Sequence, residues 1–315
     1  MIRIEKLKKS FDTVEAVKKI DFVINDGEIL GFLGPNGAGK TTTLRMITSY
    51  LTPSDGKVVI NGLDVVENSE EIRKQIGYLG EQNPLYDDMI VFDFLEFVAK
   101  ARNVHPNDFP VRLKEVIELC GLKNVIHRPI KELSKGYRQR VGLAQAIIHD
   151  PKILILDEPT TGLDPNQIVE IRELIKALGK EKTVIISSHI LQEIQATADR
   201  TIIINNGEIV ADGTVEELMS SFQGHTQLEL ELLHSGEEAR TIESIHREIK
   251  VIDFSTKDCV ANVKIEYPNN VDPREKIFDY AKGKNWKILE MSRHRISLED
   301  VFRNLTVEGG NTNAK

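Results

Sequence analysis

The sequence ILGFLGPNGAGKTT, residues 29–42, decides the fold of this chain. Its first five residues are almost all apolar, as expected of a strand that is covered on both faces. The next residues contain Gly34-x-x-x-x-Gly39-Lys40-Thr41, a pattern that forms phosphate-binding loops between a strand and a helix. We expect a helix to begin near Lys40, so that the positive end of its dipole faces the phosphates. The alternative, a glycine-rich turn that holds a lysine by chance, leaves the flanking strand and helix patterns unexplained.

The residues of this loop each have an expected contact with a nucleotide. Gly34, Gly37 and Gly39 allow the backbone to curl, so that its N–H groups point at phosphate oxygens. Lys40 is expected to reach the β- and γ-phosphates, and the Thr41 hydroxyl is expected to bind Mg²⁺. The other loop residues that we expect to contact the nucleotide are Asn36, Ala38 and Thr42.

Two further apolar runs also end in polar residues. Ile153–Leu156 is followed by Asp157 and Glu158, and Val184–Ile186 is followed by SSH, which ends at His189. Because ligands of open α/β sheets bind beyond the carboxyl ends of the strands, one ligand could meet all these groups. Side chains alternate along a strand, so Asp157 could face Mg²⁺ while Glu158 faces a water. Taken alone, the acidic pair could be an ordinary turn, and the histidine a structural residue.

Length and composition restrict the class of protein. A chain of 315 residues suits one large domain and one small domain. The net charge of −8 provides no basic field for a nucleic acid, so we expect no nucleic-acid partner. The sequence begins without the apolar core of a signal peptide, and no apolar run approaches the ~18 residues of a spanning helix. Cys120 and Cys259 are expected to be buried free thiols in a reducing cytosol, with a disulfide as the alternative.

These motifs together resemble those of a known family. GPNGAGKTT, ILILDEP (Ile153–Pro159) and SSH look like the nucleotide-binding domain of ABC transporters, over about residues 1–222. LSKGYRQR (Leu133–Arg140) stands where that family carries its signature, although Lys135 replaces a glycine of the commonest form. This form is similar to that of type-2 ABC exporters, especially the ATP-binding subunit associated with bacterial gliding motility.

The resemblance implies roles in ATP hydrolysis for individual residues. Phe11 would stack on adenine, although packing in the core is the alternative from the sequence alone. Gln82 would contact Mg²⁺ and the attacking water, beside the Mg²⁺ ligand Asp157. Glu158 would be the general base, and His189 would contact the γ-phosphate.

The resemblance also implies that the active form is a dimer. One chain holds one phosphate loop and one signature, and in this family they meet at one ATP from different subunits. Ser134 and Gly136 would then bind the γ-phosphate held by the opposite subunit, and Asp164 would act across the dimer. Ser134 can also cap a helix running through Tyr137–Ile148, which aims the helix N-terminus at an anion. We therefore expect a head-to-tail homodimer with two ATP molecules at its interface.

A membrane permease subunit is the second partner that the resemblance implies. It would dock near Leu85, Tyr86 and Met89, at the leading edge of a helical subdomain over about residues 83–133. Core packing is the alternative for Leu85 and Met89. The expected location is peripheral, on the cytoplasmic side of the cell membrane.

The rest of the chain predicts a second, smaller domain. Residues 223–308 alternate strand and helix patterns in the order βαββαβ, which is typical of a ferredoxin-like α+β domain. The segment Ser297–Thr306 could form an amphipathic helix, and residues 309–315 a flexible tail.

The sequence therefore favours an ATP-hydrolysing subunit of an ABC exporter with an α/β, P-loop fold. An importer ATPase whose C-terminal domain binds a regulatory small molecule is the main alternative. A non-transport ABC protein acting on ribosomes or DNA and a scaffold that binds ATP without hydrolysis are two others. The acidic net charge argues against a protein that acts on ribosomes or DNA. The complete set of catalytic positions argues against a scaffold that binds ATP without hydrolysing it.

Overall fold

The structure is a computed structural model, and it divides the chain into two compact units. The first unit comprises Met1–Thr214, and the second begins at Val215. The residues that the structure describes are 1–222, 225–245, 247–257, 259–268 and 271–294.

A largely parallel sheet forms the centre of the first unit, all of whose residues up to Thr214 are described. Its order is β10-β9-β3-β8-β7-β6, and neighbouring strands are parallel except for the pair β9 and β10. The strands are β3 (Ile29–Leu33), β6 (Ile76–Leu79), β7 (Ile153–Asp157), β8 (Thr183–Ser188), β9 (Arg200–Asn205) and β10 (Glu208–Gly213). Every residue of β3, β7 and β8 is buried, as predicted for strands covered on both faces. The predicted α/β fold is confirmed.

A second, antiparallel sheet in the first unit was not predicted from the sequence. Its order is β2-β1-β4-β5, with β1 (Ile2–Phe11), β2 (Val14–Ile24), β4 (Asp55–Ile60) and β5 (Leu63–Asp64). The two sheets share one apolar core, in which the rings of Phe22 and Phe32 stack with centroids 5.8 Å apart.

Helices connect the strands of the first unit. They are α1 (Lys40–Ile47), α2 (Ser69–Gln75), α3 (Val91–Ala101), α4 (Phe109–Cys120), α5 (Lys135–Ile147), α6 (Pro165–Gly179), α7 (Leu191–Gln195) and a 3-10 helix, Ile130–Glu132. The Arg112 guanidinium joins α4 to the end of α5, because it donates to the carbonyls of Ile147 and Ile148. Cys120 at the end of α4 is a free thiol, and burial raises its pKa to about 12.

The second unit contains an antiparallel sheet ordered β12-β13-β11-β14. Its elements are α8 (Val215–Phe222), β11 (His225–Leu233), a 3-10 helix (Gly236–Ile245), β12 (Lys250–Lys257), β13 (Val260–Pro268), α9 (Arg274–Gly283) and β14 (Lys287–His294). From β11 onward the elements follow the predicted order βαββαβ, and the name ferredoxin-like stays a prediction. Apolar residues of the sheet, including Leu228, Leu230 and Val263, form a core with Ile277 and Trp286.

Two predictions for the C-terminal region need correction. Helix α8 belongs to the second unit, so the division falls after Thr214 rather than after residue 222. Cys259 is exposed rather than buried, because it lies in the turn between β12 and β13, with a φ of 66°. It is a free thiol, as is Cys120. The predicted helix Ser297–Thr306 and the tail 309–315 lie outside the described residues.

The helices were also compared with the requirements of a membrane span. Among the residues described, no helix combines the length and the apolar character that crossing a bilayer requires.

Candidate functional site

The phosphate-binding loop connects β3 to α1, and close contacts require glycine at two of its positions. A Cβ atom on Gly34 would lie 2.2 Å from the carbonyl oxygen of Ile204. A Cβ atom on Gly39 would lie 2.5 Å from the carbonyl oxygen of Ala16, and the φ of Gly39 is 108°. Helix α1 begins at Lys40, as predicted, so its N-terminus faces the loop.

Lys40 is buried at the base of this loop, with an exposed fraction of 5%. Its ammonium group donates to the carbonyl oxygens of Gly34, at 2.8 Å, and Pro35, at 3.2 Å. The same nitrogen lies 3.3 Å from Oε1 of Glu158. Without a nucleotide, the lysine therefore satisfies its charge within the protein, and a bound phosphate would compete with Glu158 for it.

Asp157 and Thr41 form an oxygen-rich pair next to the loop. Oδ1 of Asp157 accepts hydrogen bonds from Ser187 Oγ, at 2.6 Å, and from Thr41 Oγ1, at 3.2 Å. The other carboxylate oxygen, Oδ2, is buried without a hydrogen-bond partner. Burial raises the pKa of Asp157, although the hydroxyls of Ser187 and Thr41 oppose this shift.

These oxygens fit the requirements of Mg²⁺. An unpaired buried carboxylate oxygen beside a hydroxyl supplies the hard ligands that this cation prefers. Among the described residues, no group of three histidine, cysteine, aspartate or glutamate side chains could hold a metal ion. Phosphate oxygens and water would complete the coordination, as is usual for Mg²⁺ bound with a nucleotide.

Glu158 lies where β7 ends, and its side chain has an exposed fraction of 7%. Its φ is 51°, and its backbone N–H donates to Ser187 Oγ at 2.9 Å. Oε2 accepts a hydrogen bond from Thr161 Oγ1 at 3.3 Å and lies 2.8 Å from Nδ1 of His189. The polar groups that follow β3, β7 and β8 therefore lie close together at one edge of the sheet, as predicted.

The loop and Glu158 enclose a cleft of ≈ 380 Å³, within the usual size of ligand pockets. Its lining residues are Ala16, Asn36, Gly37, Gly39, Lys40, Thr41, Thr42, Glu81 and Glu158. Phe11 is 47% exposed rather than part of the core, and its ring lies 5.2 Å from Nζ of Lys9. Its contact with adenine stays a prediction, because Phe11 is not among the lining residues.

The predicted contact of Gln82 with Mg²⁺ and the attacking water stays a prediction. Its side chain is exposed, and the residues that line the cleft include Glu81 rather than Gln82. The reason is a turn after β6, in which the N–H of Asn83 donates to the carbonyl of Gly80 at 3.0 Å. Asn83 is buried, and its amide donates to the carbonyl of Arg138 in α5 at 3.0 Å. This anchor leaves Gln82 on the outside of the turn.

Glu81 and Ala16 are lining residues that the sequence analysis missed. Glu81 directly follows the short segment after β6, so the rule that polar residues follow parallel strands could have identified it. Ala16 lies in β2, part of the antiparallel sheet, and no motif in the sequence marks it.

The predicted dimer residues form a second cluster, apart from the lining of the cleft. Ser134 caps α5, and its hydroxyl accepts the N–H of Tyr137 at 3.4 Å, as predicted. Asp164 caps α6 in the same way through the N–H of Gln167, at 3.0 Å. A Cβ atom on Gly136 would lie 2.6 Å from the end of the Gln167 side chain, which would have to move. The N-termini of α5 and α6 are therefore packed together.

The predicted docking edge is an exposed aromatic feature. Tyr86 is 58% exposed, and its ring makes edge-to-face contacts with Phe94 and Phe97, at centroid distances of 6.1 and 5.5 Å. Leu85 and Met89 are half-buried. Core packing therefore does not account for Tyr86.

Comparison with family profiles finds two matches. Residues 17–161 match the family described as "ABC transporter". Residues 213–306 match the family described as "ATP-binding protein DrrA1-3-like, C-terminal domain".

Similar curated proteins come from Bacillus. The chain is 40% identical over 210 residues to the ABC transporter ATP-binding protein NatA of Bacillus subtilis, covering 66% of this chain and 85% of that protein. It is 30% identical over 307 residues to the linearmycin resistance ATP-binding protein LnrL of Bacillus subtilis, covering 97% and 98%. It is 36% identical over 232 residues to the bacitracin transport ATP-binding protein BcrA of Bacillus licheniformis, covering 73% and 75%.

Solved structures resemble the larger part of the chain. An ATP-binding subunit of an ABC transporter matches with a TM-score of 0.65 and 28% identity, over 70% of this chain and 93% of that one. The dimeric structure of MJ0796, a bacterial ABC transporter cassette, matches with a TM-score of 0.63 and 25% identity, over 68% and 99%.

Proposed function

Because this chain belongs to the ATP-binding subunits of ABC transporters and is an ATPase, we propose that it powers export through a separate membrane permease. The observation that carries the ATP-hydrolysing part of this proposal is the convergence of Lys40, Asp157, Glu158 and His189 at the carboxyl ends of adjacent parallel strands. Each of these groups has a defined part in the hydrolysis of a nucleoside triphosphate.

Nucleotide binding is assigned to the loop after β3. The N–H groups of the loop and the ammonium of Lys40 bind the phosphates, and Lys40 exchanges its ion pair with Glu158 for a phosphate oxygen. Thr41 and Asp157 would hold Mg²⁺, which neutralises phosphate charge when it is bound. The exposed ring of Phe11 is available to stack on the base.

Hydrolysis is assigned to Glu158 and His189. Once Lys40 binds phosphate, the buried carboxylate of Glu158 is free to take a proton from the attacking water. Oxygen of that water bonds to the γ-phosphorus as the bond to the β,γ-bridging oxygen breaks, which leaves ADP and phosphate. His189 holds the base through its Nδ1 contact and is placed to reach the γ-phosphate through its other nitrogen.

The active form is proposed to be a head-to-tail homodimer with two ATP molecules at its interface. Ser134 and Gly136 lie at the N-terminus of α5, which has no acidic residue in its first turn and is suited to an anion. These residues do not line the cleft of their own chain, so they are available to the nucleotide of a second copy. Asp164 at the start of α6 would lie at the same interface. The dimeric structure of the MJ0796 cassette supports the formation of a dimer.

The permease is proposed to dock at Leu85, Tyr86 and Met89, which places the subunit peripherally on the cytoplasmic side of the membrane. The segment after β6 carries Glu81 in the cleft and Tyr86 on the surface, five residues later. A partner that moves this segment could therefore affect the nucleotide site.

Export is favoured over import by the names of the relatives. BcrA is named for bacitracin transport and LnrL for linearmycin resistance, and the second unit matches a DrrA1-3-like domain. An importer ATPase regulated by a small molecule remains the second candidate. The similarity to gliding-motility subunits stays a prediction.

The variant Glu158→Gln tests the proposed base. We expect it to bind ATP but to lose nearly all turnover, because an amide does not accept the proton of the water. It should also accumulate as a dimer with ATP in size-exclusion chromatography. The control for phosphate release is Glu28→Gln, which changes a half-buried carboxylate that accepts from the N–H of Asn25 and does not line the cleft. Turnover of Glu158→Gln within a few-fold of wild type would remove Glu158 from this role.

A further inference from the structure

A buried carboxylate that the mechanism above does not use joins the two loops that carry Glu158 and His189. Glu193 lies in α7 and is 9% exposed. Its Oε2 accepts hydrogen bonds from Thr160 Oγ1, at 2.5 Å, and from Ser188 Oγ, at 3.0 Å. Thr160 belongs to the loop after β7, and Ser188 is the last residue of β8. One oxygen atom therefore connects the ends of two adjacent parallel strands.

Both hydroxyls lie next to residues of the site. The Ser188 hydroxyl also accepts the N–H of Ile190 at 3.0 Å, so it closes a turn around His189. Thr161, the residue after Thr160 in the sequence, donates a hydrogen bond from its hydroxyl to Oε2 of Glu158 at 3.3 Å. Both side chains that donate to the carboxylate are at most 4% exposed. Water would therefore not replace the acceptor if it were lost.

We propose that Glu193 is a positioning residue for ATP hydrolysis. Through Ser188 and Thr160 it holds His189 and Glu158 so that Nδ1 and Oε2 stay 2.8 Å apart. A carboxylate oxygen suits this task, because it can accept both hydrogen bonds at once. Glu193 is not among the residues that line the cleft, so it acts through its partners. The inference rests on the proposed roles of Glu158 and His189.

The variants Glu193→Ala and Glu193→Gln test the proposal in the full chain. For Glu193→Ala we expect kcat to fall about 10- to 100-fold, because small misplacements of catalytic groups have effects of this size. The Kd for ATP should stay within about threefold of wild type, since the phosphate-binding loop keeps its contacts. Glu193→Gln keeps an acceptor oxygen and a similar volume, and it should recover most of the lost kcat.

Three further variants separate positioning from general stability. Glu28→Ala removes a half-buried carboxylate far from the cleft lining, one that pairs with Arg200, so it should lower Tm and leave kcat unchanged. Thr160→Val removes one donor at constant volume, so it should lower kcat even if Glu193→Ala fails to fold. In a His189→Ala background the effect of Glu193→Ala should shrink, because residues that act together are not additive.

The inference would be overturned if folded Glu193→Ala or Thr160→Val kept a kcat within about threefold of wild type. It would also be overturned if Glu193→Ala lowered kcat by the same factor in the His189→Ala background as in wild type. The activity of Glu158→Gln shows whether the inference about Glu193 or the proposed function itself has failed. An inactive Glu158→Gln beside a fully active Glu193→Ala refutes the inference alone. An active Glu158→Gln refutes the proposed base instead.

Discussion

The ion pair between Lys40 and Glu158 predicts that nucleotide-free Glu158→Gln is less stable than wild type, and that ADP removes the difference. The two charges are 3.3 Å apart, and their side chains are 5% and 7% exposed. At an effective dielectric constant of about 20 the gross attraction is about 5 kcal/mol. The carbonyls of Gly34 and Pro35 still accept from Lys40 in the variant, and a buried carboxylate charge is removed. We therefore expect a net loss of about 1–3 kcal/mol in unfolding free energy.

The assay is thermal unfolding with and without saturating ADP, which has phosphates for the loop to bind but no γ-phosphate to be hydrolysed. A loss of this size lowers Tm by about 3–9 °C in a domain of this length. With ADP, the β-phosphate replaces Glu158 as the partner of Lys40, so the two proteins should melt at similar temperatures. The variant should also bind ADP at least about fivefold more tightly, because no carboxylate competes for Lys40.

The control is the same substitution in a Lys40→Met background. There the carboxylate of Glu158 has lost its cationic partner, so Glu158→Gln should no longer lower Tm. Equal increases in Tm on adding ADP to wild type and Glu158→Gln would refute the reasoning, because they would show that the ion pair does not compete with phosphate.

Three other predictions concern Asp157, His149 and Tyr86. Burial raises the pKa of Asp157, so wild type loses stability as the pH rises from about 3.8 through that raised pKa. Nucleotide-free Asp157→Asn should accordingly unfold at a higher temperature than wild type at pH 7, while Mg²⁺ no longer tightens its ATP binding in calorimetry. Burial lowers the pKa of His149 to about 4, so the folded state loses about 3 kcal/mol as the pH falls from 6.5 to 4. His149→Gln should lack this acid-dependent loss in denaturant unfolding, and an unchanged pH dependence would contradict the prediction. Tyr86→Asp should lower the unfolding free energy by only about 1 kcal/mol, because the exposed ring loses two edge-to-face contacts. The same variant should no longer co-sediment with permease-containing membranes. A much larger drop in Tm would show that Tyr86 contributes to core packing rather than to docking.

The parts of the site that follow strand ends were predictable from the sequence, because their signals are local. The apolar run Ile29–Leu33 is a strand with those bounds, and the helix begins at Lys40 as its loop pattern requires. Asp157 and Glu158 follow a strand in the same way. Local patterns suffice here because a parallel sheet brings the ends of its strands to one edge.

The parts that were missed depend on contacts between distant segments. Glu81 lines the cleft beside a turn whose Asn83 is anchored on α5, a contact between segments that are distant in the sequence. No motif marks the antiparallel sheet that supplies Ala16, in which β1 and β2 form a hairpin and β1 also pairs with the distant strand β4. Glu193 likewise gains its place from two loops, and no spacing in the sequence marks it.

The central claim, a nucleotide site shared between two copies of the chain, is tested most directly by mixing two inactive variants. Lys40→Ala removes the phosphate contact of one chain, and Ser134→Arg blocks the α5 N-terminus that serves the other chain's nucleotide. In a mixed head-to-tail dimer both lesions fall on one site and the other site is intact. Half of the dimers in an equal mixture are mixed, so phosphate release should recover to about a quarter of the wild-type rate. A mixture no more active than its separate components, or a Ser134→Arg protein with wild-type turnover alone, would contradict the shared site.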